Sequence, residues 1–247
     1  MQRRFTGRHA SQTHRIHARP AFSLPLLAKV ISRMPDLEIP PLDLERGVRM
    51  SWSEYQADFA EVDARVRGHD SWKLERAQHF EESTSSRQAL KDGDWERALS
   101  LLDEGRGKLA QYAEEDRRKG SFFHRVRIVE EPLTPYLQWE LHSLRISVEY
   151  GERVRVVPGA LVRQWEAAEP LPEVVVLGGL ALYRVNYTPE GVPAGGVRLD
   201  DPELVAAWEA FIATLYERGE DLADYFDRAV APLPPPALPG GRDHQPA

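Results

Sequence analysis

The sequence predicts an α/β domain in which a β-α-β unit and a hairpin form a mixed sheet flanked by helices. Residues 125–129 and 153–157 both alternate arginine with aliphatic residues, which is the period-two pattern of a strand. The stretch between them has helical periodicity, which indicates a right-handed crossover and two parallel strands. Further along the chain, two apolar runs flank Gly178-Gly179, a pair typical of a tight hairpin turn.

Residues 50–119 are predicted to form the helical N-terminal part of this domain. Aromatic and aliphatic residues recur at helical spacing over residues 50–67, which indicates an amphipathic helix. Residues 70–92 combine a short apolar stretch with a polar loop. Asp94 is a typical N-cap for a second helix, which we expect Gly120 to end, and two internal glycines weaken the middle of that helix.

Residues 120–230 are predicted to form the α/β core and its closing helices. Thr134 and Asp201 are each followed by proline, the combination favoured at the N-cap and the first position of a helix. The predicted elements are a strand over 122–129, a crossover helix from Thr134, a strand over 153–157, hairpin strands over 174–177 and 180–187, a short strand over 197–199, a closing helix from Asp201 and a last helix over 221–230.

Both ends of the chain are predicted to be disordered. Residues 1–49 carry nine basic and four acidic side chains, and prolines interrupt every short apolar run. This lead could be a nucleic-acid-binding arm, an arginine-rich targeting peptide or only a flexible tail. The codons for residues 45–47 could contain a ribosome-binding sequence, so we expect the native protein to start at Met50. Residues 231–247 are rich in proline and glycine.

The composition limits the classes of protein to which the chain can belong. Of its 247 residues, 42% are hydrophobic and 29% are charged, which is ordinary for a soluble domain. No apolar run is long enough to span a bilayer, so no membrane association is expected, and a cytoplasmic location fits. The absence of cysteine excludes disulfides, thiolate zinc sites and a cysteine nucleophile. The net charge of −7 argues against non-specific binding of nucleic acid by the main body.

The arginines of the two predicted strands are the main candidates for a binding site. If the strands are parallel neighbours, the guanidiniums of Arg125, Arg127, Arg153 and Arg155 should gather on one face of the sheet. Such a cluster needs anionic partners, supplied either by a bound phosphate or nucleotide or by the protein itself. The nearby carboxylates that could pair with them internally are Glu130, Glu131, Glu140, Glu149 and Glu152.

A second group of candidates lies near the start of the crossover helix. Tyr136, Trp139 and Glu140 follow the carboxyl end of the first strand, where ligands of open α/β sheets bind beside helix N-termini. With Glu130 they could line a pocket for a small molecule or a peptide. Alternatively, the aromatic rings pack on the sheet and Glu140 pairs with an arginine.

Several segments of the chain resemble an uncharacterised, largely actinobacterial family known as domain of unknown function 6879. The resemblance covers residues 71 to about 225. The abundance of arginine, whose codons are GC-rich, fits an origin in a GC-rich genome. The motifs that carry it are Trp72-Lys73-Leu74-Glu75, Phe123-His124-Arg125-Val126-Arg127-Ile128-Val129-Glu130-Glu131-Pro132-Leu133-Thr134-Pro135-Tyr136-Leu137-Gln138-Trp139-Glu140, Gly151-Glu152-Arg153-Val154-Arg155-Val156-Val157-Pro158 and Asp200-Asp201-Pro202-Glu203-Leu204-Val205. Membership implies no established activity.

The order of the predicted elements also resembles one half of a phospholipase-D-type domain. Active members of that family need a His-x-Lys motif, in which histidine attacks phosphorus and lysine holds the phosphate oxygens. The sequence contains no His-x-Lys. The resemblance therefore implies a half-domain that has lost this chemistry, as in the silent sensor domains of bacterial regulators.

These observations favour a non-enzymatic regulatory or interaction protein that binds an anionic small molecule or a partner protein through its arginine-bearing sheet. One alternative is a phosphodiester hydrolase with Arg127, Arg153 and His124 in an unconventional site. Another is nucleic-acid binding through the basic lead. We assign no catalytic residue, cofactor or metal site, because the glycines do not form a phosphate loop and the histidines are isolated.

Overall fold

An eight-stranded mixed sheet organises residues 37–237, the part of the chain that this computed structural model describes. Its strands are β1 (Val48–Met50), β2 (Ser71–Glu75), β3 (Phe123–Val129), β4 (Arg153–Pro158), β5 (Val174–Leu177), β6 (Ala181–Tyr187), β7 (Pro193–Leu199) and β8 (Glu220–Asp221). They lie in the order β1-β7-β6-β5-β2-β3-β4-β8. The central strands β2, β3 and β4 are parallel, and every other neighbouring pair is antiparallel. The mixed α/β architecture predicted from the sequence is confirmed.

Helices cover both faces of this sheet. The helices are α1 (Trp52–Asp63), α2 (Ser85–Lys91), α3 (Trp95–Glu104), α4 (Arg106–Lys119), α5 (Pro135–Glu149), α6 (Gly159–Val162), α7 (Pro202–Arg218) and α8 (Leu222–Tyr225), with 3-10 turns at Leu44–Arg46 and Arg163–Trp165 and a π turn at Phe226–Val230. One face, here the α5 face, carries α1 and α5. The opposite face, here the α7 face, carries α7, whose Trp208, Phe211 and Ile212 pack on Leu74, Val126 and Val174.

The helix starts follow their sequence signals. The Thr134 side chain accepts a hydrogen bond from the Leu137 amide at the start of α5, and Asp201 caps α7 in the same way. Gly120, with a φ of 63°, ends α4 in the left-handed region that favours glycine. The single helix predicted from Asp94 is instead two helices, because Gly105 divides α3 from α4.

Strand β2 is the largest departure from the predicted organisation. It lies in the middle of the sheet between β5 and β3, although the sequence placed it in a helical N-terminal part. Trp72 and Leu74 face α7, while the charged Lys73 and Glu75 face α5. Residues 50–119 therefore contribute to the same sheet as residues 120–230.

The hairpin predicted around Gly178-Gly179 is confirmed. Both glycines have positive φ, and β6 begins at Ala181, one residue later than expected, because Leu177 pairs with Ala181. Strand β7 is longer than predicted and includes Gly195. A side chain there would approach the Met50 carbonyl oxygen to 2.1 Å, so the close contact between β1 and β7 requires glycine.

Residues 37–49, predicted as part of a flexible lead, belong to the fold. Val48–Met50 pairs with β7, and the Trp165 indole donates a hydrogen bond of 2.8 Å to the Leu37 carbonyl oxygen. Four side chains of this segment pack against the α7-face core, namely those of Leu37, Ile39, Leu42 and Leu44. The remainder of the lead, residues 1–36, lies outside the described residues.

The C-terminal segment was predicted to be disordered from residue 231. Residues 231–237 are part of the structure, and the carbonyl oxygen of Pro234 accepts a hydrogen bond of 2.8 Å from the Gln138 amide on α5. Residues 238–247 lie outside the described range. Within residues 37–237, no helix combines the length and the apolar character needed to cross a membrane.

Candidate functional site

The pairing of β3 with β4 divides the four sheet arginines between the two faces. Arg125 lies opposite Val154, and Val126 lies opposite Arg155, so the two arginine patterns are offset by one residue. Side chains alternate along a strand, and an offset of one residue therefore moves a whole set to the other face. The prediction that four guanidiniums share one face is wrong: Arg125 and Arg127 face α5, and Arg153 and Arg155 face α7.

On the α5 face, Arg125 joins a chain of ion pairs around Glu75. Its guanidinium lies 2.6 Å from a carboxylate oxygen of Glu152 and 2.6 Å from one of Glu75, and Lys73 approaches Glu75 to 2.5 Å. Burial opposes ionisation of Glu75, but the positive charges of Arg125, Lys73 and Arg127 outweigh it and hold its pKa below the ordinary value. These side chains satisfy one another inside the domain.

Arg127 is fully buried, with no exposed surface, and pairs with Glu140 on α5. Its Nε and Nη2 atoms each lie 2.7 Å from Glu140 Oε2, and Nη1 donates to the carbonyl oxygens of Glu75 and Ile128. Burial raises the pKa of Glu140, and Arg127 opposes that rise. Arg127 is therefore paired with a carboxylate of the protein itself, one of the two alternatives that the sequence left open. The pair connects β3 to α5.

On the α7 face, Arg153 and His124 form a separate cluster at the amino ends of β3 and β4. Arg153 Nη1 donates to His124 Nε2 at 3.1 Å, and its side chain is 45% exposed. Burial lowers the pKa of His124, which therefore stays neutral near pH 7. Arg155 donates to the Gly219 carbonyl oxygen and lies over the Tyr216 ring at 5.1 Å. Arg153 is the most exposed of the four predicted arginines.

Ion pairs also fill the carboxyl edge of β2 and β3, where ligands of open α/β sheets commonly bind. Arg76 bridges Glu130 at 2.8 Å and Glu166 at 2.6 Å, so Glu130 is an internal ion-pair partner. Beside them, Glu173 Oε1 accepts hydrogen bonds from the amides of Arg76 and Ala77. Glu173 Oε2 has no partner among the described residues, and burial raises the pKa of this carboxyl to about 7.

Tyr136 and Trp139 pack into the core between α5, α2 and α3 and do not line an open pocket. Both are nearly fully buried. The Trp139 indole donates to Ser86 Oγ at 2.8 Å, and the Tyr136 hydroxyl lies 2.7 Å from Glu82 Oε1 and 3.2 Å from Glu140 Oε1. Of the two alternatives for these aromatic residues, a ligand pocket or packing in the core, the structure therefore shows packing.

Arg87 on α2 is a feature that the sequence reasoning missed. Its side chain is only 7% exposed and lies over the Tyr136 ring at 5.3 Å, yet no described residue accepts a hydrogen bond from its guanidinium. The nearest carboxylate oxygen, on Glu81, is 3.7 Å away, beyond hydrogen-bond distance. The same carboxylate contacts Lys91 and lies 3.6 Å from His79. Nothing in the local pattern separates Arg87 from an ordinary surface arginine of a short helix.

The family assignment rests on a match that spans most of the sheet and its helices. A family model described as a domain of unknown function, DUF6879, matches residues 57–227. The chain belongs to this family. No curated protein matches the chain significantly. The matched segment contains the motifs that suggested the family from the sequence, and it includes every strand of the DUF6879 domain described above except β1.

A cleft elsewhere on the protein has the wrong charge for an anion. It lies between residues 41–46 and the start of α7, and its charged lining residues are Asp43, Arg46, Asp200, Asp201 and Glu203. Among residues 37–237, no cluster of three or more histidine and carboxylate side chains has an arrangement that could hold a metal ion. Within the described part of the chain, the nearly buried guanidinium of Arg87 has no hydrogen-bond acceptor, and it shares the neighbouring carboxylate of Glu81 with Lys91.

Proposed function

We propose that this protein is a cytoplasmic, non-enzymatic regulatory or interaction protein that binds an anionic group of a small molecule or a partner protein. The observation that supports the proposal is the guanidinium of Arg87, which is nine-tenths buried and has no hydrogen-bond acceptor among residues 37–237. A buried charged group that lacks its hydrogen bonds costs free energy, and an anionic ligand would supply the missing acceptors.

Arg87 is a better candidate for the proposed binding role than the sheet arginines Arg125 and Arg127. The donors of Arg125 and Arg127 already meet Glu75, Glu152 and Glu140 at hydrogen-bond distances. A ligand would have to replace these carboxylates inside the core, and each displaced partner would become an unpaired buried charge. Among the described residues, none accepts a hydrogen bond from Arg87, so a ligand gains hydrogen bonds with this guanidinium without displacing an acceptor from it.

The proposal includes the relationship to catalytically silent phospholipase-D-like half-domains. A mixed sheet with helices on both faces agrees with it, as does the absence of His-x-Lys from the sequence. The hydrolase alternative needs Arg127, Arg153 and His124 in one site. Arg127 faces α5 whereas Arg153 and His124 face α7, so these three side chains do not meet.

The nucleic-acid alternative depends on the basic lead, most of which lies outside the described residues. It stays a prediction with a simple test: affinity for DNA should fall steeply with salt and vanish when residues 1–49 are deleted.

The binding proposal is tested with the purified full chain. Native mass spectrometry identifies any co-purifying anion or protein, and calorimetric titration with N-acetylglycine and inorganic phosphate measures binding directly. We expect Arg87→Gln to abolish binding. The matched control is Arg97→Gln on α3, an exposed arginine that pairs with Glu104 and should bind like the wild type. A protein that co-purifies with nothing and binds neither probe would overturn the proposal.

A further inference from the structure

The carboxylate of Glu81 holds the position that an anionic ligand of Arg87 would take. It contacts Lys91 and lies 3.6 Å from His79 Nε2 and 3.7 Å from Arg87 Nη2. The Glu81 side chain is 25% exposed and that of Arg87 only 7%, so Glu81 lies nearer to solvent than the guanidinium beside it. Because the distance to Arg87 is too long for a hydrogen bond, this internal carboxylate covers the arginine without satisfying it.

We infer that Glu81 is an internal competitor at this site, and that the ligand group is a carboxylate which displaces it and binds Arg87 and Lys91. The inference rests on the proposed function and adds to it the ligand class and an autoinhibitory contact. In the free protein, Lys91 is paired with Glu81. In the complex, the Glu81 side chain turns into solvent and the ligand carboxylate takes the two cations.

The backbone around Glu81 is fixed, so the exchange requires movement of the side chain only. The Glu81 amide donates a hydrogen bond of 2.9 Å to the carbonyl oxygen of Gly191 in the turn between β6 and β7. Gly191 has a φ of 86°, and a side chain there would lie 3.1 Å from the His79 carbonyl oxygen. This turn therefore holds the backbone at His79 and Glu81 against the sheet while the Glu81 carboxylate stays at the surface.

Local charge balance favours a monoanionic carboxylate over a phosphate dianion. Glu81 lies beside the positive charges of Arg87 and Lys91, and the next residue, Glu82, accepts a hydrogen bond from the Tyr136 hydroxyl, whose ring lies under Arg87. Exchange of one carboxylate for another preserves that balance, whereas a dianion adds a negative charge near Glu82. His79 adds no charge at neutral pH, because burial and the proximity of Arg87 lower its pKa.

The test compares dissociation constants of the full-length wild type and Glu81→Gln, measured by calorimetry. The probes are N-acetylglycine, an N-acetylated hexaglutamate peptide and inorganic phosphate. Removing the competitor should tighten N-acetylglycine binding about five- to tenfold, the scale of one partly exposed ion pair. The control Glu96→Gln changes a carboxylate in the first turn of α3 and should bind like the wild type. Circular dichroism shows that each variant is folded.

The outcomes separate the inference from the function on which it rests. If the wild type binds N-acetylglycine and Arg87→Gln does not, but Glu81→Gln leaves the affinity unchanged or weaker, the proposed function stands and the competitor is refuted. If phosphate binds more tightly than N-acetylglycine, the carboxylate assignment is wrong. If no probe binds either protein, both proposals fall. If Glu81→Gln binds more tightly than the wild type, the inference is supported, and the two carboxylate probes distinguish the source of the ligand. Tighter binding of the peptide than of N-acetylglycine indicates a protein partner, and equal affinities indicate a small acid.

Discussion

Replacement of Arg127 by methionine tests whether the sheet arginines are structural. The substitution removes a fully buried guanidinium, and the Tyr136 hydroxyl then remains the only hydrogen-bond partner of the Glu140 carboxylate among the described residues. The negative charge of Glu75, which already raises the pKa of Glu140, would then lack one of its own balancing cations. Methionine has a similar length and keeps the packing against Phe80.

The expected cost is large because the change isolates a buried charge. Breaking such a pair by removing one partner costs about 3–5 kcal/mol, a substantial fraction of the roughly 5–15 kcal/mol that stabilises a domain. The folded state of this variant should be more stable when Glu140 is protonated than when it is ionised. The stability of Arg127→Met should therefore be greatest below the unfolded pKa of Glu140, near 4.5, and should fall as the pH rises.

Urea unfolding followed by tryptophan fluorescence measures these free energies. At a slope of about 2 kcal/mol per molar, we expect the midpoint of Arg127→Met to fall by about 2 M at pH 8. The double variant Arg127→Met/Glu140→Gln removes both charges and should recover to within about 1–2 kcal/mol of the wild type. The structural account would be refuted if Arg127→Met lost less than about 1 kcal/mol, or if the double variant were no more stable than the single one.

Three further predictions concern other parts of the fold. Burial raises the pKa of Glu173 to about 7, above its value near 4.5 in the unfolded chain. The free energy of unfolding of the wild type should therefore decrease as the pH rises from about 4.5 to 7, and urea titrations should show a smaller decrease for Glu173→Gln. Gly178→Ala should cost about 2–4 kcal/mol by thermal unfolding, because its Cβ would approach Val66 to 2.5 Å at positive φ; an unchanged Tm would contradict this. Deleting residues 1–49 should cost about 3 kcal/mol or more relative to deleting residues 1–36, because the longer deletion removes two of the three residues of β1 and four packed aliphatic side chains; equal stability would show that this segment is dispensable.

Elements with strong local signals could be predicted from the sequence. Thr134-Pro135 and Asp201-Pro202 specify helix starts through their own side chains, and Gly178-Gly179 specifies a turn through its backbone freedom. These signals act within a few residues, so they need no knowledge of the tertiary structure. They were sufficient for the β-α-β unit, the hairpin and the closing helix.

Features that depend on distant partners could not be predicted in the same way. The charged Lys73 and Glu75 made β2 look unlike a central strand, because only the arrival of Arg125 makes their burial favourable. The offset between β3 and β4 is a property of their pairing, and no pattern within either strand reveals it. Arg87 is buried by the packing of α2 against α5, which a seven-residue segment does not encode.

The most direct test of the account follows the guanidinium signals of Arg87 and Arg127 by nuclear magnetic resonance. The Nε–H resonances, assigned by comparison with Arg87→Lys and Arg127→Lys, are recorded as N-acetylglycine is titrated into the full-length protein. We predict that the Arg87 resonance shifts with saturable dependence on the carboxylate, whereas the Arg127 resonance does not move. A static Arg87 resonance, or a ligand-dependent shift at Arg127 alone, would contradict the proposed binding site.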